Sequence, residues 1–221
     1  MRELRRRWLA RRHRGGEWEG LLRPAPAGEW VSVDLETTGL DPRRGQILSL
    51  AAVPVRGARA VLSERFERKV RPDRPFGIES VRRHLITPDE AASGVQVTRA
   101  VGEFLHWLGS RTIVGHRIDL SLEMLAPHVK AITGFGLPNP RVELADAFAS
   151  HVARARPNDP HNLEFGHIAR TLGVPVLGRH SALGDATTVA LCWLALQPRP
   201  APGGNGRARN REAEPEPESG A

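Results

Sequence analysis

The run Trp-Val-Ser-Val-Asp-Leu-Glu-Thr-Thr-Gly at residues 30–39 constrains the fold more than any other stretch. Val31 and Val33 alternate with polar residues, which is typical of a strand with one buried face. Asp34 and Glu36 therefore point to the same side of that strand, about 6–7 Å apart. Two such charges repel each other unless a cation lies between them, and hard oxygen ligands favour a divalent metal ion. The same spacing also occurs on strands whose polar face meets only water. The full Asp-x-Glu-Thr-Thr-Gly-Leu-Asp-Pro run at 34–42, with a glycine turn where a substrate can approach closely, favours the metal.

The bulk composition is that of a folded globular protein. The 221 residues are enough for one domain with a sizeable core; 40% of them are hydrophobic and 26% are charged. No apolar run approaches the roughly 18–20 residues that a membrane-spanning helix needs. The single cysteine, Cys192, excludes an internal disulfide and fits a reducing compartment, so we expect a cytoplasmic protein with no membrane partner.

Positive charge is concentrated at the start of the chain. The net charge is +7, and residues 1–27 hold eight arginines against three glutamates. Residues 198–221 are neutral and rich in proline, glycine, arginine and glutamate, so we expect a disordered tail. The chain thus divides into a basic extension (1–27), a folded domain (28–197) and the tail. We favour a solvated helix or a disordered extension over an arm that binds nucleic acid or an acidic partner.

Apolar periodicity predicts an α/β domain. We expect a meander of three strands, then helices with a fourth strand, a strand-to-helix segment and a long final helix. The predicted elements are Trp30–Glu36, Gln46–Val55, Ala60–Val70, Val97–Leu108, Arg111–Gly115, Leu120–Ile132, Val142–Ser150, Leu163–Leu172 and residues 182–194. Thr87, with Glu90 three residues later, is the pattern of a capping box at the start of another helix.

Two further segments carry carboxylates. In the final helix, Asp185 flanks the apolar stripe, where an unpaired carboxylate would be costly. His180 stands five residues before Asp185 and would, if considered alone, be read as a surface histidine. The other segment runs from Gly115 into the next helix and contains Asp119 and Glu123.

The three segments together resemble the motifs of the DEDDh-type 3′–5′ exonucleases, the family of the proofreading subunit of bacterial DNA polymerase III and of RNase T. The resemblance spans roughly residues 30–196 and rests on Asp-x-Glu-Thr-Thr-Gly at 34–39 and on His-x-x-x-x-Asp-Ala at 180–186. His84-Leu-Ile-Thr is similar to the family's His-Gly-Ile-Thr element, with Leu85 in place of glycine. The resemblance implies an α/β, ribonuclease H-like fold: a mixed five-stranded sheet flanked by helices.

The second family motif, Gly-His-Asn-x-x-Phe-Asp-x-x-x-Leu, is only partly matched. Gly115 and His116 fit without gaps, but Arg117 replaces the asparagine and Ser121 stands where the family has its aspartate. A local deletion would make Asp119 the ligand instead, whereas the helical stripe favours the ungapped register. The sequence leaves both alternatives open.

The resemblance also implies roles for the matching residues. Asp34 would bridge two divalent ions, Mg²⁺ or Mn²⁺, and Glu36 and Asp185 would hold the ion that binds the attacking water. His180 would take the proton of that water, a task that suits an imidazole near neutral pH. Because hard cations depend on the charge of their ligands, Ser121 leads us to expect a weaker second ion and reduced activity.

The sequence therefore predicts a metal-dependent 3′–5′ exonuclease acting on single-stranded DNA or RNA 3′ ends, with a DNA polymerase as a candidate partner. The alternative is a catalytically impaired exonuclease fold that binds nucleic acid or a polymerase. The choice between DNA and RNA depends on the shape of the pocket around the 2′ position, which sequence does not reveal.

Overall fold

The alternating run around Val31 and Val33 forms the central strand of a mixed sheet in the computed structural model of the chain. The structure describes residues 2–155 and 162–198, and this part of the chain contains six strands. They are β1 (Glu29–Thr37), β2 (Ile47–Arg56), β3 (Arg59–Ala60), β4 (Phe66–Lys69), β5 (Thr112–Gly115) and β6 (Arg141–Glu143). β1 pairs antiparallel with β2 and parallel with β5, and β5 pairs parallel with β6.

The helices flank the sheet on both faces, which confirms the predicted α/β class. They are α1 (Arg2–Arg12), α2 (Glu19–Leu22), α3 (Ile78–His84), α4 (Pro88–Ala92), α5 (Val97–Leu108), α6 (Ile118–Thr133), α7 (Leu144–Ala155), α8 (Phe165–Thr171) and α9 (Ala182–Leu196). No helix in the described ranges is both long and apolar enough to cross a membrane.

The sheet has six strands rather than five because the predicted strand Ala60–Val70 is divided. Its first part, β3, and its second part, β4, both pair antiparallel with β2. Ala60 pairs with Val55 and Phe66 pairs with Ala52. The chain therefore advances six residues from β3 to β4 while the paired strand β2 advances only three. A single-turn 3₁₀ helix, Leu62–Glu64, takes up the three extra residues. The coarse apolar spacing of this stretch did not reveal the change of register.

Two apolar cores lie on opposite faces of the sheet. Val31 and Val33 of β1 face α5 and α6, whose buried residues include Phe104 and Leu125. On the other face, α9 packs on β2, and buried residues of α7, α8 and α9, such as Phe148 of α7, share one core with Val53 and Val55 of β2. The alternation along β1 therefore directs Asp34 and Glu36 toward the α9 face.

The amino-terminal segment packs on the folded body. Leu9 of α1 and Leu21 and Leu22 of α2 are buried in the same core as α5 and α6. The ring of His13 contacts Phe135 at 4.9 Å between centroids, just beyond α6. The start of this segment is a helix, one of the two forms that we favoured from sequence, but the burial of Leu9, Leu21 and Leu22 shows that the segment packs on the domain.

One predicted helix start, and the element in which Leu85 replaces glycine, can be compared with the structure. The capping box is confirmed, since the Thr87 hydroxyl accepts from the Glu90 N–H and the Glu90 carboxylate accepts from the Thr87 N–H. Leu85, where the related element has glycine, adopts a left-handed conformation with φ of 60° and is 73% exposed. The backbone there has the shape that glycine adopts without strain, and leucine keeps it at a steric cost.

The final helix and the tail complete the chain. Helix α9 contains the predicted apolar stripe, and Cys192 is fully buried within the helix, as expected from its apolar neighbours. The tail prediction for residues 198–221 lies, from residue 199 onward, outside the described residues.

Candidate active site

The three predicted metal ligands meet at one point. Asp34 and Glu36 lie near the carboxyl end of β1, and Asp185 lies in the first turn of α9, which crosses that end of the sheet. One carboxylate oxygen from each residue lies within 4.8 Å of the other two. The Ser32 hydroxyl donates a 2.6 Å hydrogen bond to the Ala186 carbonyl and so ties β1 directly to α9. The packing of one helix on one strand thus brings together residues that lie about 150 positions apart in the sequence.

The cluster is largely removed from water. Glu36 is 9% exposed, Asp185 is 7% exposed and Asp34 is partly buried. Burial raises the pKa of Asp34 well above its usual value, and repulsion by Glu36 and Asp185 raises it further. Burial and then Asp185 raise the pKa of Glu36 to about 7. Burial also raises the pKa of Asp185, although the Arg179 guanidinium opposes that increase. The cluster therefore holds protons, or another cation, near neutral pH.

Asp119 does not join this cluster. Its side chain is 66% exposed and forms an ion pair with Arg141 of β6, at 2.6 Å between the carboxylate and Nε. Ser121 instead lines the cleft that contains the three carboxylates. The ungapped register is therefore the one that the structure adopts, and within the described residues the site has three carboxylates rather than four.

Glu143, which the sequence patterns did not single out, fixes the start of α6. Arg117 precedes the helix in a left-handed conformation, with φ of 53°. The carboxylate of Glu143, at the end of β6, accepts hydrogen bonds from the backbone N–H groups of Arg117 and Ile118 at 3.1 and 2.9 Å. This contact satisfies helix donors that have no partner inside the helix and sets which side chains of the first turn face the cleft.

His180 lies at the edge of the same cleft. Its ring is exposed, and its backbone is left-handed, with φ of 66°. The loop that carries it rests on Gly184, where a Cβ would come within 2.3 Å of the Gly178 carbonyl oxygen. The Ser181 hydroxyl caps α9 by accepting from the Gly184 N–H. The glycine thus permits the close contact that holds the histidine next to the carboxylates.

Three arginines surround the acids. Arg179 forms an ion pair with Asp185, and its guanidinium also lies over the Phe165 ring, 4.8 Å from the centroid. Arg83 and Arg117 line the cleft from α3 and from the start of α6. Sequence drew attention only to Arg117, as the residue that replaces the motif asparagine; the one available signal for Arg179 was that it immediately precedes His180.

The cleft is continuous with a larger one. The space around the acids has a volume of about 290 Å³. An adjoining cleft of about 820 Å³ shares His116, Arg117 and Arg179 with it and extends along Phe165 and Asn162. A polymer end can therefore reach the carboxylates while the chain behind it remains in an open groove.

The donor set fits a divalent cation. All three side chains offer hard oxygen ligands, the type that Mg²⁺ and Mn²⁺ prefer. Asp185 Oδ1 is buried and has no hydrogen-bond partner among the described residues, whereas Oδ2 is held by Arg179. A buried acceptor without a partner is costly, and a metal ion would satisfy it.

Comparison with known proteins agrees with this arrangement. The sequence profile of the RNase T family, described as exonuclease, matches residues 31–192. A DNA polymerase III subunit epsilon-like protein of Rhodobacter capsulatus is 30% identical over 84% of this chain, which spans 26% of that protein. DNA polymerase III subunit epsilon of Aquifex aeolicus is 28% identical over 74% of this chain and 77% of its own length. The chain also spans only 12% of a PolC-type polymerase of Thermotoga maritima.

Solved structures share the fold. Exonuclease I of E. coli in complex with a dT13 oligonucleotide matches 76% of this chain and 40% of its own, with a TM-score of 0.61 and 19% identity. Cell-death related nuclease 4 matches 77% of this chain and 64% of its own, with a TM-score of 0.64 and 17% identity. The expectation of an exonuclease-type, ribonuclease H-like fold is confirmed by these likenesses.

The raised pKa values predict how metal and pH act together. Because the folded state holds a proton on Glu36 up to a pKa of about 7, against 4.5 in the unfolded chain, the metal-free protein should lose stability as pH rises through that interval. A divalent cation replaces the proton and removes the repulsion. We expect Mn²⁺ to raise the melting temperature more at about pH 8 than at about pH 5.5, measured by differential scanning fluorimetry.

Matched variants separate this effect from general metal binding. Glu36→Gln should reduce the Mn²⁺-dependent rise at the higher pH, while Asp119→Asn, which changes an exposed acid outside the cluster, should leave it intact. Equal rises at both pH values, or equal rises in the two variants, would contradict a metal site at these carboxylates.

Proposed function

Because the chain belongs to the RNase T exonuclease family, we propose that it is a metal-dependent exonuclease that hydrolyses phosphodiester bonds at nucleic acid 3′ ends. The observation that carries this proposal is the meeting of Asp34, Glu36 and Asp185 within 4.8 Å, in a cleft that His180 also lines. Attack by water on a phosphodiester requires both a proton acceptor and positive charge beside the phosphate. This cleft offers a group for each task.

The carboxylates and the histidine divide the work. Asp34, Glu36 and Asp185 would hold divalent ions, Mg²⁺ or Mn²⁺, which when bound neutralise phosphate charge and make water more acidic. His180 is exposed at the cleft edge, so its ring can reach a water on the solvent side of the carboxylates and accept its proton. The contact between its loop and Gly184 restricts where that ring can be.

The arginines supply positive charge that does not depend on metal. Arg83 and Arg117 lie in the lining of the cleft, and Arg117 occupies the position where the family motif has asparagine. A guanidinium donates two parallel hydrogen bonds to a phosphate and stays charged at any working pH. These side chains therefore favour binding of the scissile phosphate, and they stand close to the place where Ser121 leaves the site one carboxylate short.

Single strands with a free 3′ end are the substrates that this proposal favours. The open groove beside Phe165 suits a flexible strand, and the related exonuclease I structure holds a dT13 oligonucleotide. The polymerase III subunits among the relatives make a DNA polymerase a candidate partner of this chain as well.

Loss of the proposed catalytic groups should abolish hydrolysis. We expect Asp34→Ala to remove detectable release of mononucleotides, and His180→Ala to lower kcat by roughly 10²–10⁴-fold, the usual contribution of a general base. The measurement is Mg²⁺- or Mn²⁺-dependent cleavage of a 3′-labelled single strand, compared with duplex DNA carrying a mismatched end and with short RNA.

Asp119→Ala is the matched control, because it removes a carboxylate that lies near the cleft in sequence but outside the cluster; it should retain activity. Equal activity in wild type and Asp34→Ala would refute catalysis at this site. Tight binding of the strand without any cleavage would instead support an impaired exonuclease fold that acts by binding.

Ser121 permits a test of the missing carboxylate. Ser121→Asp adds a fourth hard ligand on the α6 side of the cleft, so we expect activity to rise and the Mg²⁺ concentration for half-maximal activity to fall by about 3–10-fold. Ser121→Asn has nearly the same shape without the charge and should show neither change. If the two variants behave alike, the serine does not limit metal binding.

A further inference from the structure

Helix α1 presents an exposed basic surface that the cleavage site does not use. Four of its arginines are exposed, and none of them forms an ion pair with a carboxylate of the described side chains: Arg5, Arg7, Arg11 and Arg12. Residues 1–27 carry a net +5 of the total +7, so the remainder of the chain has little excess charge. Attraction for a polyanion is therefore concentrated on this helix.

The helix is anchored to the folded body. Leu9 is buried in the core beneath α5 and α6, and the buried Leu21 and Leu22 of α2 hold the following turn. Trp18 packs on His106 of α5 with 4.4 Å between ring centroids. Because these contacts fix α1, its arginines keep a constant position relative to the cleavage site, and binding there would not require ordering a loose arm.

Two clefts and the first turn of α6 lie between α1 and the cleavage site. Arg5 and Leu9 line a small cleft together with the loop before β6 and Arg141. A second cleft shares Arg141 and continues to Asp119 in the first turn of α6. The next residues of that turn, Leu120 and Ser121, line the cleft of the three carboxylates. The basic helix and the cleavage site thus lie on either side of the first turn of α6.

An exposed aromatic ring lies among the arginines. Trp8 is 57% exposed, and the Arg12 guanidinium lies over its ring, 5.5 Å from the centroid. Arg5, Trp8 and Arg12 are spaced at i, i+3 and i+7, so they share one stripe of the helix. Positive side chains around an exposed ring are the combination that proteins use to hold single-stranded nucleic acid, through phosphate contacts and base stacking.

We propose that α1 binds the phosphodiester backbone of the nucleic acid strand some nucleotides upstream of the 3′ end, with Trp8 stacking on an unpaired base. This inference rests on the proposed exonuclease function and adds a second contact to it. Helix α1 has 11 residues and is about 16 Å long, and α6 has 16 residues and is about 24 Å long. On this scale, only a strand of several nucleotides can contact both α1 and the cleavage site.

The test compares long and short strands in a variant of α1. Arg5→Gln, Arg11→Gln and Arg12→Gln, combined in one full-length protein, leave Leu9 and the core contacts in place. Binding of labelled dT and rU strands of about 25 and about 4 nucleotides is measured by fluorescence anisotropy without divalent metal, over a range of salt concentrations. Each lost phosphate contact should lower the salt slope by about 0.7 on single strands.

We expect the triple variant to bind the long strands about 10-fold more weakly, with a salt slope smaller by about 2, and the short strands as wild type does. An equal fall for dT and rU supports contact with the shared backbone. Trp8→Ala, added to the triple variant, should weaken binding of the long strands further. Trp8→Phe in the same place should restore most of the binding that Trp8→Ala removes. The matched control combines Arg59→Gln, Arg65→Gln and Arg154→Gln, exposed residues on β3, just before β4 and on α7, and should bind as wild type does.

Three results would overturn the inference: an unchanged salt slope, an equal loss for short and long strands, or an equal loss in the control triple. An unchanged slope would leave an acidic protein as the partner for α1. The experiments can also refute either of the two proposals without refuting the other. Metal-dependent cleavage with an unchanged slope contradicts only the role of α1, whereas a reduced slope without any cleavage contradicts only the exonuclease.

Discussion

Three carboxylates that share one small space repel each other, and the surrounding structure is arranged to keep them there. Asp34 and Glu36 are held on the same side of β1, and α9 closes over them with Asp185 in its first turn. Burial then prevents water from screening the charges, which is why the pKa of Glu36 rises to about 7. A site built in this way is unstable when fully ionised alone, so it favours a cation. Burying the ionised carboxylates costs free energy, and a bound cation relieves that cost, which contributes to the affinity for metal.

The same fold provides the groups that work beside such a cation. Arg179 neutralises one oxygen of Asp185 and leaves the other without a partner, so an ion can bind while the ion pair persists. The loop around His180 lies against Gly184, which allows the backbone approach that brings an imidazole to the cleft. Strand β1 therefore sets the position of two of the carboxylates, and the start of α9 sets the position of the third carboxylate, the arginine and the histidine.

The resemblance to the exonuclease motifs predicted which residues make up the site, and local periodicity predicted how some of them point. The pleat of β1 and the stripe of α9 place Asp34, Glu36 and Asp185, and a strand and a helix have fixed side-chain directions. Other features depend on contacts between distant segments. The ion pair of Asp119 with Arg141 and the slip between β3 and β4 follow from how neighbouring strands meet, and no single stretch encodes that. The packing of α1 was hidden because arginines outnumber its apolar residues.

The central claim is that Asp34, Glu36 and Asp185 form one cation site. Diffraction from crystals soaked in Mn²⁺, recorded at a wavelength where manganese scatters anomalously, locates the ion directly. We predict an anomalous peak at about 2.0–2.4 Å from an oxygen of each of the three carboxylates, one of them Asp185 Oδ1. A peak bound elsewhere, or no peak in the cleft with Asp185 held only by Arg179, would contradict it.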